Sequence, residues 1–169
     1  LGKYLIEHKQ CTMHGMEIDE RTANEAKRFY EKVFVNSVEE QESFQQVGGK
    51  FDYIVFGDVL EHLIAPGKVL CACKEVLKPS GSVIISVPNI ANWRIRWNLL
   101  FGRFEYTDSG IIDRSHLRFF TLKTIRKEFD DCGYNIVHCR AAGVKMPILI
   151  RNICPSLLAS QFVFVIKMK

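Results

Sequence analysis

The sequence contains no apolar run that approaches the roughly 20 residues of a membrane-spanning helix. It also contains no Cys-x-x-Cys pair, and of its six cysteines only Cys71 and Cys73 lie close together. This spacing is typical of free thiols in a reducing compartment rather than of a zinc site or a disulfide framework, and we expect a cytoplasmic protein. The net charge of +4 is too small to favour nucleic acid as a partner.

Features that would interrupt a single fold are also missing, since the 169 residues contain no internal repeat, low-complexity stretch or linker. We therefore expect one domain over residues 1–169. Strand and helix patterns alternate, which predicts crossover units and a mostly parallel sheet. Residues 78–81, Lys-Pro-Ser-Gly, predict a turn. Predicted strands cover residues 12–19, 32–36, 51–57, 82–88, 134–140 and 160–169, and predicted helices cover 1–9, 21–30, 38–46, 92–101 and segments that begin at Pro66 and Thr121.

Titratable residues follow two of the predicted strands directly. The segment FDYIVFGDVLEHL changes from buried apolar residues to Asp58, Glu61 and His62 within a few positions. Ligands of parallel sheets bind outside the carboxyl ends of the strands, so we expect these side chains at a ligand site. Glu17 and Asp19 close the first strand in the same way. An acid there either accepts hydrogen bonds from the two hydroxyls of a ribose or is a solvated turn residue.

Five segments complete the pattern, and they occur in the order GMEID, FDYIVFGDVLEHL, LKPSG, SVPN and DRSHLRFFT. Together they closely resemble class I S-adenosylmethionine-dependent methyltransferases, and the resemblance covers nearly the whole chain. The most similar group contains MetW-type proteins and methyltransferases of bacterial surface-polysaccharide clusters. The resemblance implies an α/β, doubly wound, Rossmann-like sheet of seven mostly parallel strands with an antiparallel last strand. It also implies S-adenosylmethionine as the cofactor.

The same resemblance implies positions for the cofactor. Glu17 takes the place of the ribose-binding acid, and residues 36–39 take the place of the loop that holds the adenine. Gly57 and Asp58 are expected beside the methionine part and the transferred methyl group. The full set of implied cofactor-binding residues is Gly2, Glu17, Ile18, Ser37, Val38, Gly57 and Asp58.

Two departures from the family pattern accompany this assignment. The glycine-rich loop of the family, with the first central strand of the sheet, would lie before Leu1, and we expect the sequence to be a fragment. Ser37 stands where family members often carry an acid that accepts from the adenine amino group. A hydroxyl can accept the same hydrogen bond, although more weakly than a carboxylate.

The segment Asp58-x-x-Glu61-His62 resembles the E-x-x-E-H segment of ubiquinone-biosynthesis O-methyltransferases, which is implicated there in divalent metal binding. A first hypothesis is therefore a metal held by Asp58, Glu61 and His62. A second is that His62 is a general base and that Glu61 contacts the substrate. A third is that these residues orient a loop and cap the next helix. Our prediction for the site is no metal.

Residues 89–120 are predicted to form a lid on the substrate side. Their first part contains Trp93, Trp97 and three arginines. One interpretation is that the arginines contact an anionic group of the substrate. The alternatives are a basic aromatic patch that binds nucleic acid, or an amphipathic helix packed on the domain. Their second part is a polar loop that, on one interpretation, lies over the substrate side of the site with His116 as a catalytic candidate. On the other interpretation, a salt bridge between Asp113 and an arginine fixes the loop, and Leu117 and Phe119 lie in the core. A mixture, with Asp113 and Arg118 structural and His116 facing the pocket, is a third possibility. The substrate-contacting candidates are Glu61, Trp93, Arg94, Tyr106, Asp113 and Arg118.

The function implied by the resemblance is methyl transfer by direct displacement to a small-molecule, sugar or lipid-precursor acceptor. His62 or His116 would remove the proton of a hydroxyl nucleophile. One alternative is a catalytically silent binding partner with the same fold. Another is a different Rossmann-type enzyme, such as a nicotinamide-dependent oxidoreductase.

Overall fold

The alternating pattern of the sequence folds into two sheets, each with its own helices. The structure, a computed structural model, describes residues 2–40, 42–143 and 154–169. Residue 1 of the first predicted helix and residue 41 of the third lie outside these ranges. The chain forms two compact units, residues 1–49 and 50–169. The single domain expected over the whole chain stays a prediction.

The first unit contains a two-stranded parallel sheet and three short helices. Its strands pair in register from His14 with Lys32 to Glu17 with Val35. The first strand is shorter than predicted because Asp19 leaves it to cap the next helix, accepting a hydrogen bond from the Thr22 amide at 2.7 Å. The elements are α1 (Gly2–Lys9), β1 (His14–Glu17), α2 (Glu20–Ala26), β2 (Lys32–Val35) and α3 (Ser43–Val47).

The second unit contains a four-stranded sheet whose central strands are buried. Its elements are β3 (Phe51–Gly57), α4 (Pro66–Ala72), β4 (Leu77–Pro88), α5 (Trp93–Leu100), α6 (Leu122–Asp131), β5 (Tyr134–Ala142), α7 (Pro155–Leu158) and β6 (Gln161–Met168), with short 3-10 helices at Leu60–His62 and Cys73–Val76. The strand order is β3-β4-β6-β5, with β3 parallel to β4 and β6 antiparallel to both of its neighbours. The predicted α/β fold with an antiparallel last strand is confirmed.

Alternating residues of the two central strands build the core. Val83, Ile85 and Val87 of β4 are fully buried, as are Phe164 and Ile166 of the neighbouring β6. Burial of each such side chain contributes about 1.5–3 kcal/mol, so this sheet is a rigid platform for the loops at its ends. No helix within the described residues is long and apolar enough to cross a bilayer.

The turn predicted at residues 78–81 is wrong, because these residues belong to β4. They form an irregularity in its pairing: Phe51 lies opposite Leu77, but Tyr53 already lies opposite Ser82. Leu77 is buried and holds the strand at its start. Proline and glycine in this segment interrupt the regular pairing, but the strand accommodates them as a bulge instead of reversing its direction.

The predicted helix ends are confirmed where side chains define them. Pro66 lies in the first turn of α4, where the missing N–H has no consequence. The Thr121 Oγ1 accepts a hydrogen bond from the Thr124 amide, and the Thr124 Oγ1 accepts one from the Thr121 amide, which closes a capping box at α6. After α6, Gly133 adopts a φ of +70°, the left-handed conformation that glycine enters most easily.

Candidate active site

Asp58 joins three strands at the carboxyl end of β3. Its amide donates to the Ser86 carbonyl at 3.3 Å, and its Oδ1 accepts from the Ser86 hydroxyl at 3.0 Å and from the Gln161 Nε2 at 2.6 Å. Its φ of +54° is in the left-handed region, which costs a side-chain-bearing residue about 1–2 kcal/mol. Strain of this kind persists only where neighbours hold it, and it is concentrated at functional sites.

Glu61 is a buried carboxylate in the 3-10 helix that follows. The residue is 1% exposed, and neither carboxylate oxygen has a hydrogen-bond partner within the described part of the chain. Burial raises the pKa of Glu61 to about 7, and the negative charge of Asp58 adds to the increase. A carboxyl group with such a pKa exchanges protons near neutrality, which is typical of sites that transfer protons or bind ligands.

The backbone of Glu61 ties this turn to the loop of residues 107–120. The Glu61 carbonyl accepts hydrogen bonds from the Leu117 amide at 2.8 Å and the Arg118 amide at 2.9 Å. The Arg118 Nε also donates to the Ile64 carbonyl at 3.1 Å. Two segments that are distant in sequence are therefore held together by backbone groups.

This loop brings His116 to His62. The two imidazole rings meet edge to face, with centroids 4.8 Å apart. Each ring has its Nδ1 at 3.1 Å from a backbone carbonyl, that of Ser115 for His62 and that of Ile111 for His116. When Nδ1–H donates to the carbonyl, Nε2 keeps the lone pair, which is the tautomer that a general base or a metal ligand requires.

Glu61, His62 and His116 form one cluster, in which the candidate ligand atoms lie within 4.8 Å of one another. This set differs from the metal hypothesis of Asp58, Glu61 and His62, because the Asp58 Oδ1 bonds to Ser86 and Gln161 instead. Ligand atoms of a bound zinc lie about 2.0–2.2 Å from the ion, so the cluster would have to contract around a metal. A base role does not need such a contraction, because each histidine can act on an acceptor hydroxyl by itself.

Asp113 and Ser115 shape the backbone of the loop. The Asp113 Oδ1 accepts from the Ser115 amide at 2.8 Å and from the Ser115 hydroxyl at 2.5 Å, and these bonds lower the pKa of Asp113. The arginine partner considered for Asp113 is not found there, because the Arg114 Nε lies 3.1 Å from Asp108. Asp113 therefore bonds within its own loop, and Arg118 bonds to the Ile64 carbonyl. A substrate contact by either residue stays a prediction.

The apolar residues that hold the loop in the core are not the two that were predicted from the sequence. Leu117 is exposed and Phe119 only half-buried, whereas Ile112 and Phe120 are buried. The reason is that the two amides at Leu117 and Arg118 turn the chain toward Glu61, which directs the Leu117 side chain to solvent.

A cavity of about 870 Å³ lies beside α5 in the second unit. It is lined by two of the predicted substrate residues, Trp93 and Arg94, but Tyr106 is not among its lining residues. Arg103, one of the three arginines considered for an anionic substrate group, lines it as well. Glu105 also lines it and was not named from the sequence.

The implied cofactor residues are divided between the two units. In the first, Glu17 is the last residue of β1 and Ser37 lies just after β2, and the Asn36 amide donates to the Glu17 carbonyl at 3.2 Å. Ile18 is exposed and Val38 half-buried. In the second unit, Gly57 is the last residue of β3 and Asp58 follows it.

Gly2 has a packing role that the sequence did not indicate. A Cβ at this position would lie 2.1 Å from the Tyr30 hydroxyl oxygen and 2.3 Å from its ring. Helix α1 therefore approaches Tyr30 at a distance that only glycine permits. A cofactor contact by Gly2 stays a prediction.

Comparison with known proteins identifies the class to which this fold and site belong. A family model described as a methyltransferase domain matches residues 3–139. The chain therefore belongs to the methyltransferase-domain family, whose fold is that of class I S-adenosylmethionine-dependent methyltransferases. Membership of the MetW-type group stays a prediction.

Curated relatives include ubiquinone biosynthesis O-methyltransferases. That of Dechloromonas aromatica is 30% identical over 79 residues, which cover 44% of this chain and 34% of the relative. That of Cereibacter sphaeroides (strain ATCC 17029 / ATH 2.4.9) is 34% identical over 67 residues, 33% of this chain and 27% of the relative. The chain thus spans about a third of the length of the curated relatives it matches.

Solved structures share the fold at low sequence identity. A SAM-dependent methyltransferase from Archaeoglobus fulgidus superposes with a TM-score of 0.68 at 15% identity, covering 97% of this chain and 79% of that one. Magnesium protoporphyrin IX methyltransferase from Synechocystis PCC 6803, solved with bound SAH, has a TM-score of 0.63 at 16% identity, covering 98% and 68%.

Proposed function

We propose that this chain is part of an S-adenosylmethionine-dependent methyltransferase that methylates a hydroxyl group of a small-molecule, sugar or lipid-precursor acceptor. The observation that carries the proposal is the cluster of Glu61, His62 and His116 at the carboxyl end of β3, in a chain of the methyltransferase-domain family. The ubiquinone biosynthesis O-methyltransferases among its relatives favour oxygen as the methylated atom.

The residues present suit the cofactor. Glu17 is a half-buried carboxylate at a strand end, suited to accept from ribose hydroxyls. Nothing lies within 4 Å of a Cβ added at Gly57, which leaves open space for a ligand beside the backbone. The Asp58 carboxylate would favour a positively charged sulfur near it. When bound, the cofactor supplies a methyl group already activated on such a sulfur.

The chain itself would align the acceptor and remove its proton. One of the histidines, His62 or His116, takes the hydroxyl proton at Nε2, while the carbonyl at Nδ1 fixes the tautomer. Glu61, with a pKa of about 7, accepts that proton or stabilises the resulting imidazolium.

The cavity beside α5 suggests the kind of acceptor. Arg94 and Arg103 line it with one acid, Glu105, and neither arginine has an ion-pair partner among the described residues. Arg94 also lies over the ring of Trp93, with its guanidinium 5.5 Å from the ring centroid. We propose that this cavity holds an acceptor with an aromatic or apolar body and an acidic group.

The test is transfer of a labelled methyl group from S-adenosylmethionine by the full gene product. Protocatechuate, its methyl ester and glucose 1-phosphate are suitable hydroxyl probes. We expect transfer to the acidic probes and weaker transfer to the ester. If S-adenosylhomocysteine binds but none of a broad panel of hydroxyl compounds is methylated, the catalytically silent alternative replaces this proposal. The family match gives no support to a nicotinamide-dependent oxidoreductase.

A further inference from the structure

Helix α5 has two faces of different character. One face, with Arg94, Ile95 and Asn98, lines the cavity. The opposite face carries large apolar side chains that stay in solvent: Trp97 is 58% exposed and Leu100 is 73% exposed. No residue of the helix is buried, so the core of the unit does not account for this apolar face.

The docking face, as we name it, consists of Arg96, Trp97, Leu99, Leu100 and Phe101. Trp97 and Phe101 lie one turn apart and pack edge to face, with centroids 5.1 Å apart. Phe104 and Tyr106, which follow the helix in the chain, are exposed as well and pack edge to face. Large apolar side chains that cluster in solvent mark an interaction site rather than ordinary surface variation.

The charged residues of α5, Arg94 and Arg96, are both positive. Arg96 lies within the docking face, and its Nε bonds to the Ala91 carbonyl at 2.7 Å rather than to an acid. Arg94 lines the cavity on the other face, and in the described ranges no carboxylate forms an ion pair with either arginine. Tryptophan, leucine and phenylalanine interleaved with arginine suit the boundary between lipid headgroups and acyl chains.

We propose that the docking face binds to an anionic membrane surface. Trp97, Leu100 and Phe101 would enter the headgroup boundary, and Arg96 would contact lipid phosphates. The helix would lie in the plane of the surface, with its cavity-lining face directed away from the lipid. The inference does not depend on the proposed reaction, because it uses the opposite side of α5.

Two other occupants fit the face less well. A second copy of the chain, related by a two-fold axis, would place Arg96 near its own counterpart without an acid to compensate. Nucleic acid would suit the arginines and Trp97, but it would leave Leu99 and Leu100 against a charged backbone. An anionic bilayer satisfies both the charged and the apolar part.

The chain offers a direct probe, because its only two tryptophans, Trp93 and Trp97, both lie in α5. We would titrate the chain with vesicles of phosphatidylcholine alone and with vesicles of equal parts phosphatidylcholine and phosphatidylglycerol. The proposal predicts a blue shift of tryptophan emission and co-flotation with the anionic vesicles only, both weakened by added salt.

Matched variants locate the contact. Leu100→Gln and Arg96→Gln should each reduce partitioning into the anionic vesicles, by about tenfold for Leu100→Gln. Val137→Gln replaces an equally exposed apolar residue on β5 and should leave partitioning unchanged. The proposal is overturned if the anionic vesicles neither float the chain nor shift its emission, or if Leu100→Gln binds as well as the parent. It is also overturned if emission shifts with protein concentration alone, which indicates a second copy, or with a single-stranded oligonucleotide but not with vesicles.

Discussion

His62 and His116 pack edge to face with ring centroids 4.8 Å apart, and each is oriented by a backbone carbonyl at its Nδ1. Both rings are therefore held in one tautomer beside the buried carboxylate of Glu61. This arrangement combines two oriented imidazoles with one carboxyl group that titrates near neutrality. It is suited to taking a proton from a substrate and passing it on.

The first prediction concerns the base. With a hydroxyl acceptor, His62→Gln or His116→Gln should lower kcat by about a hundredfold or more, because general-base catalysis contributes about 10²–10⁴. Turnover with saturating S-adenosylmethionine measures this effect. His138→Gln, an exposed histidine on β5, is the control and should keep full activity. Unchanged turnover in both single variants would rule out the base role.

The second prediction concerns Glu61 and pH. The folded pKa is about 7, above the ordinary value of 4.5, so the folded state binds the proton more tightly than the unfolded state. The stability that this protonation provides is complete below about pH 4.5 and is lost as pH rises to about 7. The loss amounts to roughly 3 kcal/mol.

Urea unfolding at about pH 5 and about pH 8 measures this dependence. Glu61→Gln, which cannot ionise, should remove most of the decrease in the free energy of unfolding. Glu25→Gln, at an exposed position in α2, should retain it. If Glu61→Gln shows the same decrease as the parent chain, the carboxyl group of Glu61 is not the group responsible.

A third prediction concerns metal. Because each histidine can act as a base without a metal, we expect dialysis against EDTA to leave turnover unchanged. Elemental analysis of the same sample, before and after dialysis, is the necessary control. Loss of activity on chelation, with recovery on adding Mg²⁺ or Zn²⁺, would instead favour a metal held by Glu61, His62 and His116.

The fourth prediction concerns the strained backbone at Asp58. Asp58→Ala removes the hydrogen bonds to Ser86 and Gln161 but keeps a Cβ at a φ of +54°. Asp58→Gly removes the same bonds and relieves the strain, so it should be more stable than the alanine variant by about 1 kcal/mol. Denaturant unfolding of the two variants side by side compares them. An alanine variant as stable as the glycine variant would mean that φ at this position changes when the bonds are lost.

Much of the fold could be predicted because its determinants are local. The apolar run that becomes β3, the proline at the start of α4 and the capping threonine of α6 each act within a few residues of their own position. The Lys-Pro-Ser-Gly segment was misread for the same reason. Its composition indicates a break, but only the partner strand, Phe51 to Tyr53, makes that break a bulge.

The site was predictable residue by residue, but not as a set. Glu61, His62 and His116 were each named from the sequence, yet nothing local relates His116 to Glu61. Their association depends on the amides of Leu117 and Arg118, which bond to the Glu61 carbonyl. Backbone hydrogen bonds between distant loops leave no pattern of side chains in the sequence, and the position of Glu105 at the cavity was not predicted for the same reason.

The most direct test of the account is calorimetric titration of the full gene product with S-adenosylhomocysteine. The account predicts saturable binding that is weakened by Glu17→Gln and by Asp58→Asn, about tenfold each, while His138→Gln binds like the parent. Absence of binding to the folded parent protein would contradict the methyltransferase assignment itself.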